Sequence, residues 1–167
     1  MTVMENKQIY MIACVSKDNG IGKDGELLWH ISKDMQFFRQ TTSRSIVVMG
    51  GNTFASIGRA LPNRRNIVLS RREIDADGIE VFHDQKSLDE FLEQQTEPIF
   101  IIGGAALYNI YINKAEKLYL TEVNAEKPAD TFFPTFDKQV YKQEILQSGE
   151  FEGVNYRIVE YTRKDKK

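Results

Sequence analysis

Short apolar runs recur along the chain at Ile9–Val15, Ser45–Met49, Asn66–Leu69, Ile79–Phe82, Ile99–Ile102 and Leu118–Val123. Several show no alternation of apolar and polar positions, the pattern of strands buried on both faces of a sheet. Helical segments lie between them. Ser32–Thr41 opens on Ser32 as a candidate cap, and Ser87–Gln95 opens on Ser87 with Glu90 three residues later, a capping box. A third helix, Ala105–Asn113, follows the pair Gly103 and Gly104. Strands alternating with helices predict an α/β chain with a mostly parallel central sheet. Near the end the pattern changes. Tyr141–Gln147 and Tyr156–Thr162 read as two strands around Gly149 and Gly153 with no helix to connect them, which predicts an antiparallel edge on a mixed sheet. With no linker or internal repeat, the chain is expected to be a single domain over 1–167, with a folded core over about 8–162 and a basic tail over 163–167.

Composition narrows the function classes. The 167 residues are enough for a hydrophobic core, and 41% hydrophobic with 28% charged residues is a globular profile and not a disordered one. A net charge of −2 offers no field to gather nucleic acid or an anionic membrane. Cys14 is the sole cysteine, which excludes an internal disulfide and a zinc site built on cysteine pairs. Its apolar setting suits a core residue better than a catalytic thiol. Two histidines, His30 and His83, leave no multi-histidine metal site, so no metal is expected. No long apolar segment or signal pattern opens the chain, and the expected address is the cytoplasm.

Three glycine clusters carry candidate chemistry. Gly20-Ile21-Gly22-Lys23-Asp24-Gly25 matches the spacing G-x-G-x-x-G, but the dinucleotide fingerprint needs those glycines to open a helix with an acid about 20 residues on. Here they lead into Glu26-Leu27-Leu28-Trp29, and Thr42, Ser43 and Arg44 stand where the acid should fall. A glycine-rich mobile loop over a binding site is the better reading. Gly50-Gly51-Asn52-Thr53 and Gly103-Gly104 each lie between a strand and a helix, where free N–H groups and the positive helix end favour phosphate. Two ordinary tight turns would look the same. Leu69-Ser70-Arg71-Arg72 sets a hydroxyl and two guanidiniums beyond another strand, suited either to a 2′-phosphate or to solvent.

Asp34 falls on a helical face with Ile31, Met35 and Phe38. A carboxylate on an apolar stripe needs a partner or an upward pKa shift, as site residues often do, although an acid in a first turn also complements the helix dipole. Trp29 and Phe38 suit either a core or a pocket for a flat heterocycle. Arg64-Arg65, after Leu61-Pro62-Asn63, could bind a carboxylate or decorate a turn.

Taken in order, these residues resemble dihydrofolate reductase. The resemblance rests on Ile12-Ala13, Ile21-Gly22, Leu27-Leu28-Trp29, Asp34 and Phe38, then the run from Met49 through Asn63-Arg64, then Asn66-Ile67-Val68-Leu69-Ser70. Ile102-Gly103-Gly104, Tyr108, Leu120-Thr121 and the run from Ala129 to Pro134 complete it. It implies a mainly parallel sheet of about eight strands flanked by about four helices, with the last strand antiparallel. It implies NADPH-dependent reduction of 7,8-dihydrofolate to 5,6,7,8-tetrahydrofolate, by hydride transfer to C6 and protonation at N5, in the service of one-carbon metabolism. Antifolates such as methotrexate or trimethoprim would bind, and the enzyme would be a monomer.

The same resemblance implies site roles. Asp34 would hold the pterin and promote protonation of N5, with Thr121 steadying it and Trp29 bounding the site. Ile12, Cys14, Leu27, Met35, Phe38, Ile57, Leu61 and Ile102 would line the substrate pocket, and Arg64 would take the α-carboxylate of the glutamate tail. The cofactor would lie against Cys14, Ile21, Gly22, Gly25, Gly50, Gly51, Asn52, Thr53, Leu69, Ser70, Arg71, Arg72, Ile102, Gly103, Gly104, Ala105, Ala106, Leu107 and Tyr108. The Gly103–Gly104 bond would be cis, and residues from Asn19 to Leu27 would be a mobile loop. Leu28 stands where the family usually has proline, Gly51 where it has arginine, and Ala105 and Ala129 where glycine is common. Alternatives of other kinds are a reductase of a riboflavin-pathway pyrimidine on the same fold and a noncatalytic NADPH-binding module.

Overall fold

The computed structural model describes residues 8–164. Its main sheet is built from β1 (Ile9–Val15), β4 (Ile46–Gly50), β5 (Arg65–Leu69), β6 (Ile79–Phe82), β7 (Ile99–Gly103), β8 (Lys117–Val123), β10 (Tyr141–Phe151) and β11 (Val154–Arg163). The order across the sheet is β10-β11-β8-β1-β7-β4-β5-β6. From β8 to β6 every pairing is parallel, while β11 runs antiparallel to both β8 and β10. Among the described residues there are four α-helices: α1 (Ser32–Thr42), α2 (Gly51–Ile57), α3 (Gln85–Glu93) and α4 (Ala105–Tyr111). Among the described residues no helix is long and apolar enough to cross a membrane.

Successive side chains of a strand point to opposite faces, and the unbroken apolar runs feed two layers in this way. Met11, Val48, Ile67, Ile99, Ile101 and Leu118 pack with Leu88 and Leu92 of α3 and with Leu107, Tyr108 and Tyr111 of α4. Their neighbours Ile12, Val47, Met49, Val68 and Phe100 pack with Phe54 of α2 and Phe37 and Phe38 of α1. The sheet therefore lies between α3/α4 and α1/α2. Ile101 is fully buried on β7 at the centre of this arrangement. Ile101→Ala is expected to cost about 2–5 kcal/mol, the range for deleting a buried Ile side chain. Urea unfolding should show a lower midpoint with an unchanged slope.

Several local expectations are corrected. Ser32 does not cap α1: the N-cap is Ile31, which makes no side-chain cap bond, and burial of Leu28, Trp29 and Ile31 anchors this helix end. The capping box at Ser87 and Glu90 also gives way, because α3 begins two residues earlier. Asp84 is its cap, its carboxylate accepting the Ser87 N–H at 2.8 Å. Arg163, expected in the tail, is the last residue of β11, its guanidinium donating to the Ala115 and Ile112 carbonyls. Residues 165–167 of the expected tail lie outside the described residues.

The stretch expected as a glycine-rich loop is a hairpin of β2 (Gly20–Lys23) and β3 (Glu26–Leu27). Asp24 and Gly25 turn it with φ of 52° and 81°, the positive pair that a two-residue hairpin favours. β9 (Thr131–Phe132) pairs with β2 to make a second, three-stranded sheet. The glycines of β2 answer to packing. A Cβ on Gly20 would lie 2.9 Å from that of Ala129, and one on Gly22 would lie 2.8 Å from Thr131 Oγ1.

Candidate active site

The β1–β8 register sets Cys14 opposite Thr121, so both side chains lie on the face covered by α1. The first turn of α1 lowers Asp34 onto that pair. Thr121 Oγ1 donates a hydrogen bond to Asp34 Oδ1, and the Cys14 thiol hydrogen-bonds to the same carboxylate. Burial raises the Asp34 pKa, and these two bonds offset part of the rise by favouring the charged form. Burial, with Asp34 alongside, pushes the Cys14 thiol well above its usual range. Ile12 and Ile102 share this face, and the Ile12 carbonyl accepts the Tyr108 hydroxyl at 2.8 Å.

Cys14 packs against the cluster of Leu28, Trp29 and Ile31. Trp29 is buried, with Nε1 donating to Ser16 Oγ at 2.8 Å. Leu27, Met35 and Ile57 are 56%, 43% and 36% exposed, large apolar side chains that the fold itself does not cover. Phe38 and Leu61 are partly buried in the α1/α2 layer. Arg64 stands over the Phe38 ring, 6.0 Å from its centroid. Its Nε donates to Thr42 Oγ1 at 2.8 Å, Nη1 to the Pro62 carbonyl at 2.6 Å and Nη2 to the Arg39 carbonyl at 3.1 Å. Among the described residues no carboxylate forms an ion pair with it. Burial and the neighbouring Arg39 hold its pKa below the ordinary value, and an arriving anion would offset the repulsion between the two arginines. Arg64 also borders an open cavity of about 480 Å³ at the N-terminal ends of β4 and β5, away from Asp34.

The two strand–helix glycine junctions are neighbours, because β4 and β7 pair with Met49 opposite Gly103. The Gly103–Gly104 peptide is cis. The N-caps of α2 and α4, Gly50 and Gly104, make no side-chain cap bond, so backbone N–H groups at both helix starts have no side-chain partner there. Asn52 is exposed in the first turn of α2. Thr53 Oγ1 lies 3.4 Å from where a Cβ would stand on either Gly103 or Gly104, which closes the gap between the junctions. Ser70, at the end of β5 beyond Leu69, fills the space beside Gly51: a Cβ on Gly51 would meet Ser70 Oγ at 3.1 Å. The exposed Arg71 and Arg72 follow, and the Ser70 carbonyl meets His83 Nδ1 at 2.7 Å. In α4, Ala105 and Ala106 open the helix, whereas the Leu107 and Tyr108 side chains belong to the core, as does Ile21.

Sequence reasoning missed the supports of these residues: Ser16 beneath Trp29, Thr42 and the Pro62 and Arg39 carbonyls behind Arg64, and Lys127, which contacts Trp29. Ser16 and Thr42 carried one weak signal, a small hydroxyl residue closing an apolar element, and both are buried.

The family model described as dihydrofolate reductase matches residues 8–163. A dihydrofolate reductase of Haemophilus influenzae is 41% identical over 135 residues, covering 81% of this chain and 84% of that protein. One from Bacillus subtilis is 35% identical over 161 residues, covering 94% of this chain and 95% of that one. Among solved structures, a dihydrofolate reductase from Enterococcus faecalis, described as complexed with NADP(H) and RAB-propyl, superposes with a TM-score of 0.85 at 30% identity. That alignment covers 95% of this chain and 99% of the other. Matched by that family model over residues 8–163 and by relatives 35–41% identical over most of their length, this chain belongs to the dihydrofolate reductase family.

Proposed function

We propose that this protein uses NADPH to reduce 7,8-dihydrofolate to 5,6,7,8-tetrahydrofolate, with Asp34 as its proton-handling group. The observation that carries the reading is the Asp34 carboxyl, raised in pKa by burial and gripped by Thr121. A carboxyl of that kind can meet the ring nitrogen and 2-amino group of a pterin and hold a proton for N5, directly or through water. Trp29, Leu27, Met35, Phe38, Ile57, Leu61, Ile12, Cys14 and Ile102 supply the apolar walls for the flat ring. Arg64 offers a planar fork to the glutamate tail. The same pocket would take methotrexate or trimethoprim.

The donor set suits a dinucleotide phosphate. Two neighbouring helix starts without side-chain caps, Gly50–Thr53 and Gly103–Leu107, present backbone N–H groups. Ser70, Arg71 and Arg72 would hold the 2′-phosphate, taking over the charge that Gly51 does not provide. When bound, the cofactor supplies the hydride that C6 receives. We propose that the protein acts as a monomer, as its family resemblance implies. The free thiol of Cys14 suits the reducing cytoplasm we propose as its location.

The test is the near-ultraviolet absorbance of NADPH mixed with protein and dihydrofolate. The expected result is a fall that needs dihydrofolate and stops with methotrexate. No fall, beside an active control enzyme, would sink the reading.

A further inference from the structure

Residues 124–130, between β8 and β9, are tied to the chain around the pocket at short intervals. The Lys17 N–H donates to the Ala125 carbonyl at 2.9 Å, and the Asp130 N–H to the Gly22 carbonyl at 2.9 Å. The Asp130 carboxylate accepts the Asp24 N–H at 2.9 Å. These ties all engage the main chain of β2, its turn or the end of β1. Lys127 does something different. Its Nζ donates to the Leu28 carbonyl at 2.9 Å, and the same ammonium stands 4.3 Å from the centroid of the Trp29 ring.

The indole is thereby held in two directions. Ser16 takes its N–H at the edge, and the Lys127 charge sits on its face, where the ring quadrupole attracts a cation. The bond to Leu28 fixes the peptide that leads into the ring, a restraint that a leucine cannot supply through its own φ. A lysine rooted at the surface loses rotamer freedom when its head is turned inward. The two contacts offset that loss, and among the described residues no carboxylate competes for the ammonium.

We infer that Lys127 is a positioning residue for the dihydrofolate pocket, pinning the Leu28 carbonyl and the face of Trp29 so that the segment between β3 and α1 keeps its place as a wall. The inference rests on the proposed role of Trp29. Lys127 touches neither glycine junction, so its effect belongs to the substrate and not to the cofactor.

Trp29 is the only tryptophan in the chain, so its emission reports this contact in the free protein. Lys127→Met keeps an unbranched apolar stem and removes the terminal ammonium with its charge and donor, while Lys127→Arg keeps a charge and donors. For Lys127→Met we expect a changed Trp29 emission intensity and acrylamide quenching faster by about 2-fold. We also expect a KM for dihydrofolate about 3- to 10-fold higher with the KM for NADPH within about 2-fold, from the size of a cation–ring contact plus a hydrogen bond. Lys127→Arg should restore both readouts. Unchanged emission in Lys127→Met would overturn the contact. Changed emission with an unmoved dihydrofolate KM, or with both KM values rising together and no rescue by arginine, would overturn the positioning role. If the wild-type protein reduced no dihydrofolate, the proposed function would fail and the pocket role with it, while the emission comparison would still decide whether Lys127 holds Trp29.

Discussion

Replacing Asp34 with asparagine is expected to lower kcat by about 100- to 10,000-fold at neutral pH, the range for losing a positioned proton donor or acceptor. The same substitution should make the fold more stable. Asparagine keeps an oxygen for the Thr121 hydroxyl but carries no charge to desolvate. Burial raises the Asp34 pKa in the folded chain above its value in the unfolded one, so the folded state binds its proton more tightly. The stability this confers is fully present below the ordinary carboxyl pKa and is lost as pH rises through the raised value. The variant escapes that loss. Its melting temperature should match the wild type in acid and exceed it at neutral pH, by about 2 °C or more for a stabilisation on the order of 1 kcal/mol. Wild-type kcat should also fall as pH rises through the Asp34 transition, and the residual activity of the variant should not follow that profile. A variant with near-normal turnover would remove Asp34 from the mechanism. A variant less stable at neutral pH would show that its ionised form is better solvated than its burial implies.

Arg64→Gln is expected to raise the KM for dihydrofolate roughly 10- to 100-fold, the equivalent of losing a hydrogen-bonded ion pair, with kcat within about 2-fold. Three of the five guanidinium N–H groups are occupied by Thr42, Pro62 and Arg39. One N–H on each terminal nitrogen remains, a pair that matches the two oxygens of a carboxylate. The fork is thus held in place before any ligand arrives, which limits the ordering cost on binding. Arg64→Lys should rescue poorly, because an ammonium cannot reproduce the planar fork. A pterin lacking the glutamate tail separates the two possible causes. Its KM should be the same for wild type and variant if Arg64 acts through the carboxylate, and should rise for the variant if the substitution distorts the pocket.

Much of the fold could be read locally. The unbroken runs at Ile9–Val15 and Ile99–Ile102 announced doubly buried strands because burial on both faces leaves no polar alternation. The antiparallel pair at one margin of the sheet follows from the lack of a crossover segment between β10 and β11. Helix starts were less legible. Asp84 and Ser87 are both good capping residues, and only the path of the chain out of β6 decides which of them stands at the helix entrance. The hairpin at Asp24-Gly25 reads as a loop from its glycines, although Asp-Gly is a strong turn signal. Its second strand has only two residues, and β9, which pairs with its first strand, lies more than a hundred residues away. The spacing G-x-G-x-x-G was uninformative for the same reason: Gly20 and Gly22 are small because Ala129 and Thr131 lie against them.

The sequence by itself determined the types of elements, their order and the chemical kinds of group available: one carboxyl on an apolar helical stripe, two glycine junctions and a pair of arginines after β5. These follow from periods of two and 3.6 residues and from local turn chemistry, which operate over a few positions. Only the tertiary structure decided which groups meet. Asp34 and Thr121 are 87 residues apart, and their contact exists because β8 lies beside β1 in a register that faces Thr121 and Cys14 toward α1. Likewise Lys127 reaches Trp29, and Thr42 braces Arg64, through the closure of long loops. Such contacts depend on the packing of the whole sheet against both helical layers, where shifting a register by one residue turns every side chain to the other face.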